Sequence, residues 1–291
     1  PKIYTKRWEE NGVYHFRCSD IPQDDTWDCW CNYDRNDNEI DHFYTPIYFG
    51  SNVSSKLRSI SGQNNMVSQN ATTEINYAKA NGSDWYTEVL ADRLLIQDLL
   101  VMMGKSTDCQ TVFGSGRSNA SSAAKTGTMD TKGMFWGSNN AVNEGVKVFG
   151  MEHLWGNLWR RTAGWVNVNG TQKVKLTRGG HDGSGAADYN TSGSGYLSVA
   201  NATPSGTSGG YISSMKTEAY GRIPVTASGS SSTYEADGLY YNNSGTMYAF
   251  VGGGWNYGLL CGPFYANLST AASVSGSNTG AALSCKPLAD A

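Results

Sequence analysis

A stretch rich in tryptophan, Val146 to Arg161 (VKVFGMEHLWGNLWRR), constrains the fold of this chain more than any other part of the sequence. It begins with a short β-prone run and holds Phe149 and two tryptophans, and each side chain of this size buries roughly 150 to 250 Å². Gly150 and Gly156 fit places where the backbone takes positive φ or where another segment comes close. We expect this stretch, called the aromatic hub below, to be a packing centre.

The composition narrows the class of protein. The chain has 291 residues, enough for one large domain or two small ones. Only 16% of the residues are charged, whereas there are 35 Gly, 17 Tyr and 9 Trp, which favours turns and aromatic packing over long solvated helices. The formal net charge of -3 offers no electrostatic footprint for nucleic acid or an anionic membrane, so we expect neither as a partner.

No apolar run approaches the roughly 20 residues that span a bilayer, so we expect no membrane insertion. The first residues, PKIYTKRWEENG, lack the apolar core of a signal peptide, which predicts synthesis in the cytoplasm. The 6 cysteines are too few for a disulfide scaffold, and we expect free thiols. Cys29 and Cys31 are too closely spaced for the usual zinc ligands, so we predict no metal and no cofactor.

Near the start of the chain, the dipeptide Asn11-Gly12 predicts a hairpin turn. The polar, acidic composition of residues 19 to 41 then predicts a surface loop. Phe43 to Phe49 is predicted as an edge strand, because it contains a proline. Two helices follow, Thr72 to Ala80 and Trp85 to Met103; polar residues of the second do not gather on one face, so we expect it to be buried.

After the second helix, the sequence predicts short strands separated by long Gly/Ser-rich loops. Asn169-Gly170 predicts a second hairpin turn there. Loops this long in a compact domain are usually functional, and the aromatic residues within them favour ordered ones. Helices early and strands later predict an α+β fold, with helices gathered against antiparallel sheet. Residues 1–40 are expected to pack as strands and an acidic loop on a main domain over 41–291.

Two pairs of adjacent residues are candidates for catalysis. His181-Asp182 in a glycine-rich loop and Glu152-His153 in the aromatic hub each place a base beside a carboxylate. A polar turn explains the first pair better, and a buried structural hydrogen bond explains the second. The sequence shows no metalloprotease spacing of histidines and no G-x-S-x-G nucleophile motif, so we predict that the chain is not an enzyme.

Residues 252 to 285 are the most unusual segment. Glycines, Trp255, a proline and Phe264 form a frame, between which small polar, aromatic and apolar residues alternate. Tyrosine and tryptophan give contact area at small entropic cost, while Ser, Asn and Gly adapt hydrogen bonds, as in antibody paratopes. The segment therefore predicts displayed binding loops, with an ordinary Ser-rich surface loop as the open alternative.

Several separated motifs resemble one family. ADRLLIQDLLVMMGKSTDCQTVFGSG (91 to 116), GTMDTKGMFWG (127 to 137), KVFGMEHLWGNLWRR (147 to 161), GGGWNYGLLCGPFYANL (252 to 268) and GAALSC (280 to 285) are similar to the C-type lectin-like proteins of phages and prophages. Within that group, the C-terminal pattern resembles the variable proteins of diversity-generating retroelements. The resemblance covers roughly residues 41 to 291 and is weak before them.

The resemblance implies a C-type lectin-like fold, in which a fixed scaffold presents a hypervariable ligand-binding face over about residues 252–285. Mutagenesis in that family is directed at adenines. The positions expected to vary and bind ligand are Gly254, Asn256, Tyr257, Leu259, Leu260, Tyr265, Asn267, Ser269, Thr270, Ser273, Val274 and Ser275. The expected scaffold positions are Gly150, Trp155, Gly156, Asn157, Trp159, Gly252, Gly253 and Trp255.

By the same resemblance we expect a receptor-binding protein of a phage tail or a bacterial cell surface, with a bacterial-surface protein or glycan as its ligand. A homotrimer would be usual for a tail-tip protein. The Glu-Pro-Asn signature of calcium-dependent sugar binding is absent. One alternative is an oxidase of the formylglycine-generating type, a superfold that the hub also resembles, although Cys261 and Cys285 are far apart in sequence. The other is a non-variable structural virion or surface protein.

Overall fold

The computed structural model describes residues 2–138, 144–176, 189–199, 207–233 and 235–289. Within them lie the helices Ala71–Lys79 (α1), Leu90–Gly104 (α2) and Cys109–Phe113 (α3). The strands are Tyr4–Glu10 (β1), Val13–Ser19 (β2), Gly50–Val53 (β3), Lys56–Ser59 (β4), Trp85–Thr87 (β5), Trp136–Gly137 (β6), Val146–Val148 (β7), Met151–Glu152 (β8), Trp159–Val168 (β9), Thr171–Val174 (β10), Leu197–Ser198 (β11), Thr207–Tyr211 (β12), Ser214–Glu218 (β13), Gly221–Thr226 (β14), Gly238–Asn242 (β15), Thr246–Val251 (β16), Ala266–Leu268 (β17), Thr279–Ala281 (β18) and Leu283–Cys285 (β19).

The predicted fold class is wrong. Strands dominate the described residues, and the helices have only 9, 15 and 5 residues, so the molecule is β-rich and does not match the expected two-helix α+β, C-type lectin-like fold. The physical reason lies in long-range pairing. Segments with weak local signals, such as the Gly-containing run Thr207–Tyr211, obtain their backbone hydrogen bonds from strands far away in the sequence.

The main sheet is built around β9, which is buried along almost its whole length. The strand order is β11-β10-β9-β16-β17-β15-β12, and β18 pairs in parallel with the first residues of β9. The neighbours β10 and β16 run antiparallel to β9, and the turn at Asn169-Gly170 confirms the second predicted hairpin. Because β9 is flanked on both sides, its backbone polar groups are paired inside the molecule.

Helix α2 packs on one face of this sheet through a single large hydrophobic cluster that includes Leu94, Ala249 and Leu268. Its polar side chains are buried as predicted, and each has a partner. Asp92 accepts a hydrogen bond from Lys286 Nζ at 2.7 Å, and Asp98 accepts one from Arg7 Nε at 2.7 Å. These pairs connect α2 to both ends of the chain.

The local predictions met different outcomes. The hairpin at Asn11-Gly12 is confirmed, since β1 and β2 pair antiparallel along seven residues each. The edge strand predicted over Phe43 to Phe49 is wrong, because only Tyr44 pairs there, with Cys285. The second helix was predicted to start near Trp85, but Trp85–Thr87 pairs with Leu283–Cys285 and the helix begins at Leu90.

Candidate functional site

The loop Gly254–Leu260, called the display loop below, leaves the end of β16 through two glycines with left-handed backbone. Gly252 has φ 84° and Gly253 has φ 81°, values that favour glycine. Gly252 N donates to Tyr265 O at 3.0 Å, and Gly252 O accepts from Gly156 N at 3.0 Å. The hub is therefore bonded to the point where the loop begins.

The display loop is held mainly through its own main chain. Trp255 N donates to Asn157 O at 3.1 Å, and Trp255 O accepts from Ala120 N at 2.7 Å. Gly258 N donates to Ser118 O at 2.8 Å. These bonds involve no side chain of the loop, so they persist whichever side chains the loop carries.

A side chain outside the loop adds a further anchor. Gln110 of α3 donates through Nε2 to Leu259 O at 2.7 Å and to the Asp237 carboxylate at 3.3 Å. Asp237 is buried, which raises its pKa well above the usual range, and its other oxygen accepts from Phe264 N at 2.8 Å. The loop is thus connected to the segment that follows it.

The side chains of the display loop point outward to different degrees. Asn256 and Leu259 are exposed, and Leu259 is 58% exposed, which is high for an aliphatic side chain. Tyr257 and Leu260 are half-buried, and the Tyr257 ring packs on Trp159 with centroids 4.9 Å apart. Together these residues and the half-buried Tyr240 form a surface that we call the binding face.

The binding face rests on the side of the main sheet opposite to α2. Four residues lie in one cross-strand row there, because Tyr240 pairs with Asn267, Asn267 with Phe250, and Phe250 with Arg161. Side chains of directly paired residues share a sheet face. Trp159 lies two residues before Arg161 and packs beneath Tyr257, so the loop covers one end of this row.

Two of the expected variable residues are buried. Tyr265 is 0% exposed and packs against Trp159 with tilted rings whose centroids are 4.5 Å apart, so it belongs to the core beneath the binding face. The prediction that Tyr265 contacts ligand is therefore wrong. Gly254 is also buried, but a Cβ added there would meet nothing closer than 3.5 Å. The backbone at Gly254 therefore has room for a side chain.

Of the other expected variable residues, Asn267 lies in β17, and the rest lie on a second loop, residues 269–275, that follows this strand. Asn267 Oδ1 accepts from Ser269 N at 2.9 Å, and Thr270 O accepts from Tyr248 N at 2.9 Å. A main-chain hydrogen bond also holds this loop to the start of α1, because Ala272 O accepts from Ala71 N at 2.9 Å. The exposed side chains of this loop are Ser273, Val274 and Ser275, while Ser269 and Thr270 are half-buried.

The remaining scaffold residues hold the hub against the preceding loops. Trp155 is fully buried and donates from Nε1 to Gly114 O at 3.0 Å. Asn157 has φ 61° and accepts from Ala124 N at 2.7 Å. Gly150 N donates to Met134 O at 2.9 Å. The hub thus ties residues 114–134 to the base of the display loop.

The residues considered for chemistry have structural partners. Glu152 accepts from Gly127 N at 2.8 Å and Met129 N at 2.7 Å, and burial lowers the pKa of His153 to about 3. Cys261 Sγ donates to Gly254 O, and burial raises the pKa of Cys285 to about 12. His181-Asp182 lies outside the described residues. Within the described ranges, no three His, Cys, Asp or Glu side chains group as a metal site.

No protein family model matches this chain, and no curated protein matches it. Among the described helices, none is both long enough and apolar enough to cross a membrane.

Sequence reasoning missed three contributors to the site. Tyr240 lies in β15, and its place beside the display loop depends on a parallel pairing between β15 and β17. Gln110 and Asp237 lie far from the loop in sequence and meet beneath Leu259. The sequence has no local signal for these contacts. The aromatic character of the run Leu239 to Tyr241 was the one available hint for Tyr240.

Proposed function

We propose that this chain is a variable ligand-binding protein of the kind encoded with diversity-generating retroelements. In this proposal the display loop and the second loop carry diversified side chains that bind a bacterial-surface protein or glycan. The chain would act on a phage tail or a bacterial cell surface, and several copies, as in a homotrimer, would add avidity.

One observation carries the proposal: the display loop is anchored through main-chain atoms, while the side chains of Asn256 and Leu259 are exposed. Trp255 and Gly258 bond to the rest of the chain through backbone N–H and C=O groups. Leu259, anchored by its carbonyl oxygen, has an exposed side chain. A loop of this kind accepts many sequences without losing its shape, which is the physical requirement for diversification.

The binding face also has the composition of a contact surface. Tyr240, Tyr257 and the two leucines of the loop provide aromatic and apolar area, and Asn256 provides an adaptable polar group. Exposed aromatic and apolar anchors with small polar neighbours are typical of hot spots in interfaces.

A matched pair of substitutions tests the proposal. Leu259→Asp places a charge on the binding face, whereas Leu288→Asp makes the same change at an exposed leucine elsewhere on the surface. We expect both variants to keep the wild-type melting temperature. Labelled Leu259→Asp should lose at least about tenfold in binding to a panel of bacterial cells that the wild type labels, whereas Leu288→Asp should not.

Two results would count against the proposal. Equal cell binding by Leu259→Asp and wild type would remove the binding face from the interaction. The second test is genomic: an imperfect repeat of the DNA for residues 252 to 285, differing at adenines and near a reverse transcriptase gene, is expected. A genome that encodes this chain without such a repeat would overturn the diversification part.

A further inference from the structure

The second loop lies alongside the residues that lead into α1. Ser68 N donates to Gly276 O at 2.9 Å, just after the loop, and Ala71 N donates to Ala272 O at 2.9 Å, within it. These two main-chain bonds hold the ends of the exposed stretch from 273 to 275 but leave its middle without a main-chain donor from the neighbouring segment.

A buried arginine bonds to the middle of this stretch. Arg161 of β9 donates through Nη1 to Gln69 O at 2.8 Å and through Nη2 to Val274 O. The two carbonyl oxygens can only accept, so they cannot bond to each other, whereas one planar guanidinium donates to both. Arg161 is 1% exposed and Val274 is 43% exposed. The loop is thus held through its main chain from inside the molecule, while the side chain of Val274 stays at the surface.

The guanidinium of Arg161 is itself held from two sides. Glu74 of α1 places its Oε2 2.7 Å from Arg161 Nη1, and both side chains are 1% exposed. The Cζ atom of Arg161 lies 4.7 Å from the ring centroid of Phe250 in the main sheet. A buried guanidinium that loses its carboxylate is left as an uncompensated charge, which is strongly unfavourable. Glu74 therefore determines whether Arg161 can stay where it reaches the loop.

The same cluster continues to the display loop. The Phe250 ring packs on Trp159 with centroids 6.4 Å apart, and Trp159 packs on Tyr257 with centroids 4.9 Å apart. The carbonyl of Val274 and the ring of Tyr257 thus rest on one set of buried side chains, whose members come from β9 and β16.

We propose that Arg161 is a positioning residue for ligand binding, which sets the second loop relative to the display loop, and that Glu74 acts through it. The inference rests on the proposed function, because it assumes that the exposed residues of the second loop contact the ligand. Since Arg161 bonds to a main-chain oxygen, the contact is compatible with any side chain at position 274, as Gln110 is at position 259. The fixed part of the binding site then includes α1.

The test compares two buried ion pairs of the same geometry. Glu74→Gln removes the carboxylate beside Arg161, and Asp98→Asn makes the matching change beside Arg7 Nε, which also lies 2.7 Å from its carboxylate with both side chains buried. Arg161→Lys keeps the positive charge but loses the planar fork, and it replaces Glu74→Gln if that variant does not fold.

Two measurements are made on the intact chain. Amide hydrogen exchange under native conditions follows residues 269–275 and Ala71, whose N–H donates to the loop. Binding is titrated on the bacterial cells that the wild type labels. We expect exchange at these amides to be at least about tenfold faster in Glu74→Gln and Arg161→Lys than in wild type and Asp98→Asn. Cell binding should weaken about tenfold in the same two variants, because the competent loop conformation is less populated.

Three results would each overturn the inference: unchanged exchange in the second loop of Glu74→Gln and Arg161→Lys, an equal rise there in Asp98→Asn, or faster exchange with unchanged cell binding. If the wild type labels no cells, or if Leu259→Asp labels them equally, the proposed function fails instead. The exchange measurement still decides in that case whether Arg161 and Glu74 position the loop, so the two failures are distinguishable.

Discussion

The three consecutive glycines at the start of the display loop are expected to respond differently to substitution, although the sequence makes them look equivalent. Gly253 has φ 81°, and a Cβ added there would lie 2.5 Å from Cys261 Sγ and 2.8 Å from Tyr265 Cδ1. Gly254 is outside the left-handed region, and an added Cβ would lie no closer than 3.5 Å to its neighbours. We therefore predict that Gly253→Ala is destabilising and that Gly254→Ala is neutral.

The magnitude follows from two contributions. Left-handed backbone costs an L-residue roughly 1 to 2 kcal/mol, and overpacking in a core costs roughly 1 to 3 kcal/mol. Gly253→Ala should thus lower the free energy of unfolding by about 2 to 5 kcal/mol. With a urea dependence of about 3 kcal/mol per molar, a loss of about 3 kcal/mol moves the unfolding midpoint down by about 1 M.

Urea unfolding followed by tryptophan fluorescence measures this difference. Gly254→Ala is the matched control and should stay within about 0.5 kcal/mol of wild type. A Gly253→Ala variant within the same limit would refute the reasoning. In a Cys261→Ala background the nearest clashing atom, Cys261 Sγ, is absent, but residue 253 keeps its strained φ. The loss in free energy of unfolding caused by Gly253→Ala should therefore be about 1 kcal/mol smaller in that background.

The remaining predictions concern the hub and its buried charges. Trp155→Phe removes the hydrogen bond to Gly114 O and should cost about 1 to 3 kcal/mol by urea unfolding; an unchanged midpoint would show that this carbonyl finds another donor. Glu88→Ala leaves the Arg160 guanidinium buried without its carboxylate at 3.0 Å, so a loss of about 3 to 5 kcal/mol is expected, and a loss below about 1 kcal/mol contradicts it. The pKa of His153 is lowered to about 3, so its contribution to stability is present above pH 6.5 and is lost as the pH falls towards 3. Relative to wild type, His153→Gln should gain up to about 1.4 kcal/mol per pH unit below 6.5, and a constant difference between the two proteins would exclude this assignment.

Local signals in the sequence predicted the elements whose bonds are local. Asn11-Gly12 and Asn169-Gly170 specify hairpins, because both dipeptides adopt the positive φ values that such turns require. The spread of its polar residues predicts that helix α2 is buried, and the helix ends at Gly104, one residue beyond the predicted end at Met103. The start of this helix was misjudged, since nothing near Trp85 reveals its pairing with Cys285, 200 residues later.

The fold class and part of the site depended on such distant pairings. The parallel pairing of β15 with β17 brings Tyr240 beside the display loop. A second parallel pairing places β18 against the hub residues at the start of β9. Spacing and composition do not encode which strands meet. For the same reason the sequence does not distinguish the buried Tyr265 from the half-buried Tyr257, which lie in one short segment.

The two ends of the display loop are held by one buried cation, and this explains how its side chains can change while its shape is kept. Arg93 of α2 donates from Nε and Nη2 to Pro263 O, at 3.1 and 2.9 Å, just after the loop. Its Nη1 donates to Leu154 O at 3.1 Å, in the hub segment that bonds Gly252 before the loop. All the acceptors are main-chain carbonyls, so the clamp is independent of residues 254 to 260. Substituting those residues changes what the protein contacts, whereas loss of the guanidinium removes one set of bonds on each side of the loop, to Leu154 O before it and to Pro263 O after it.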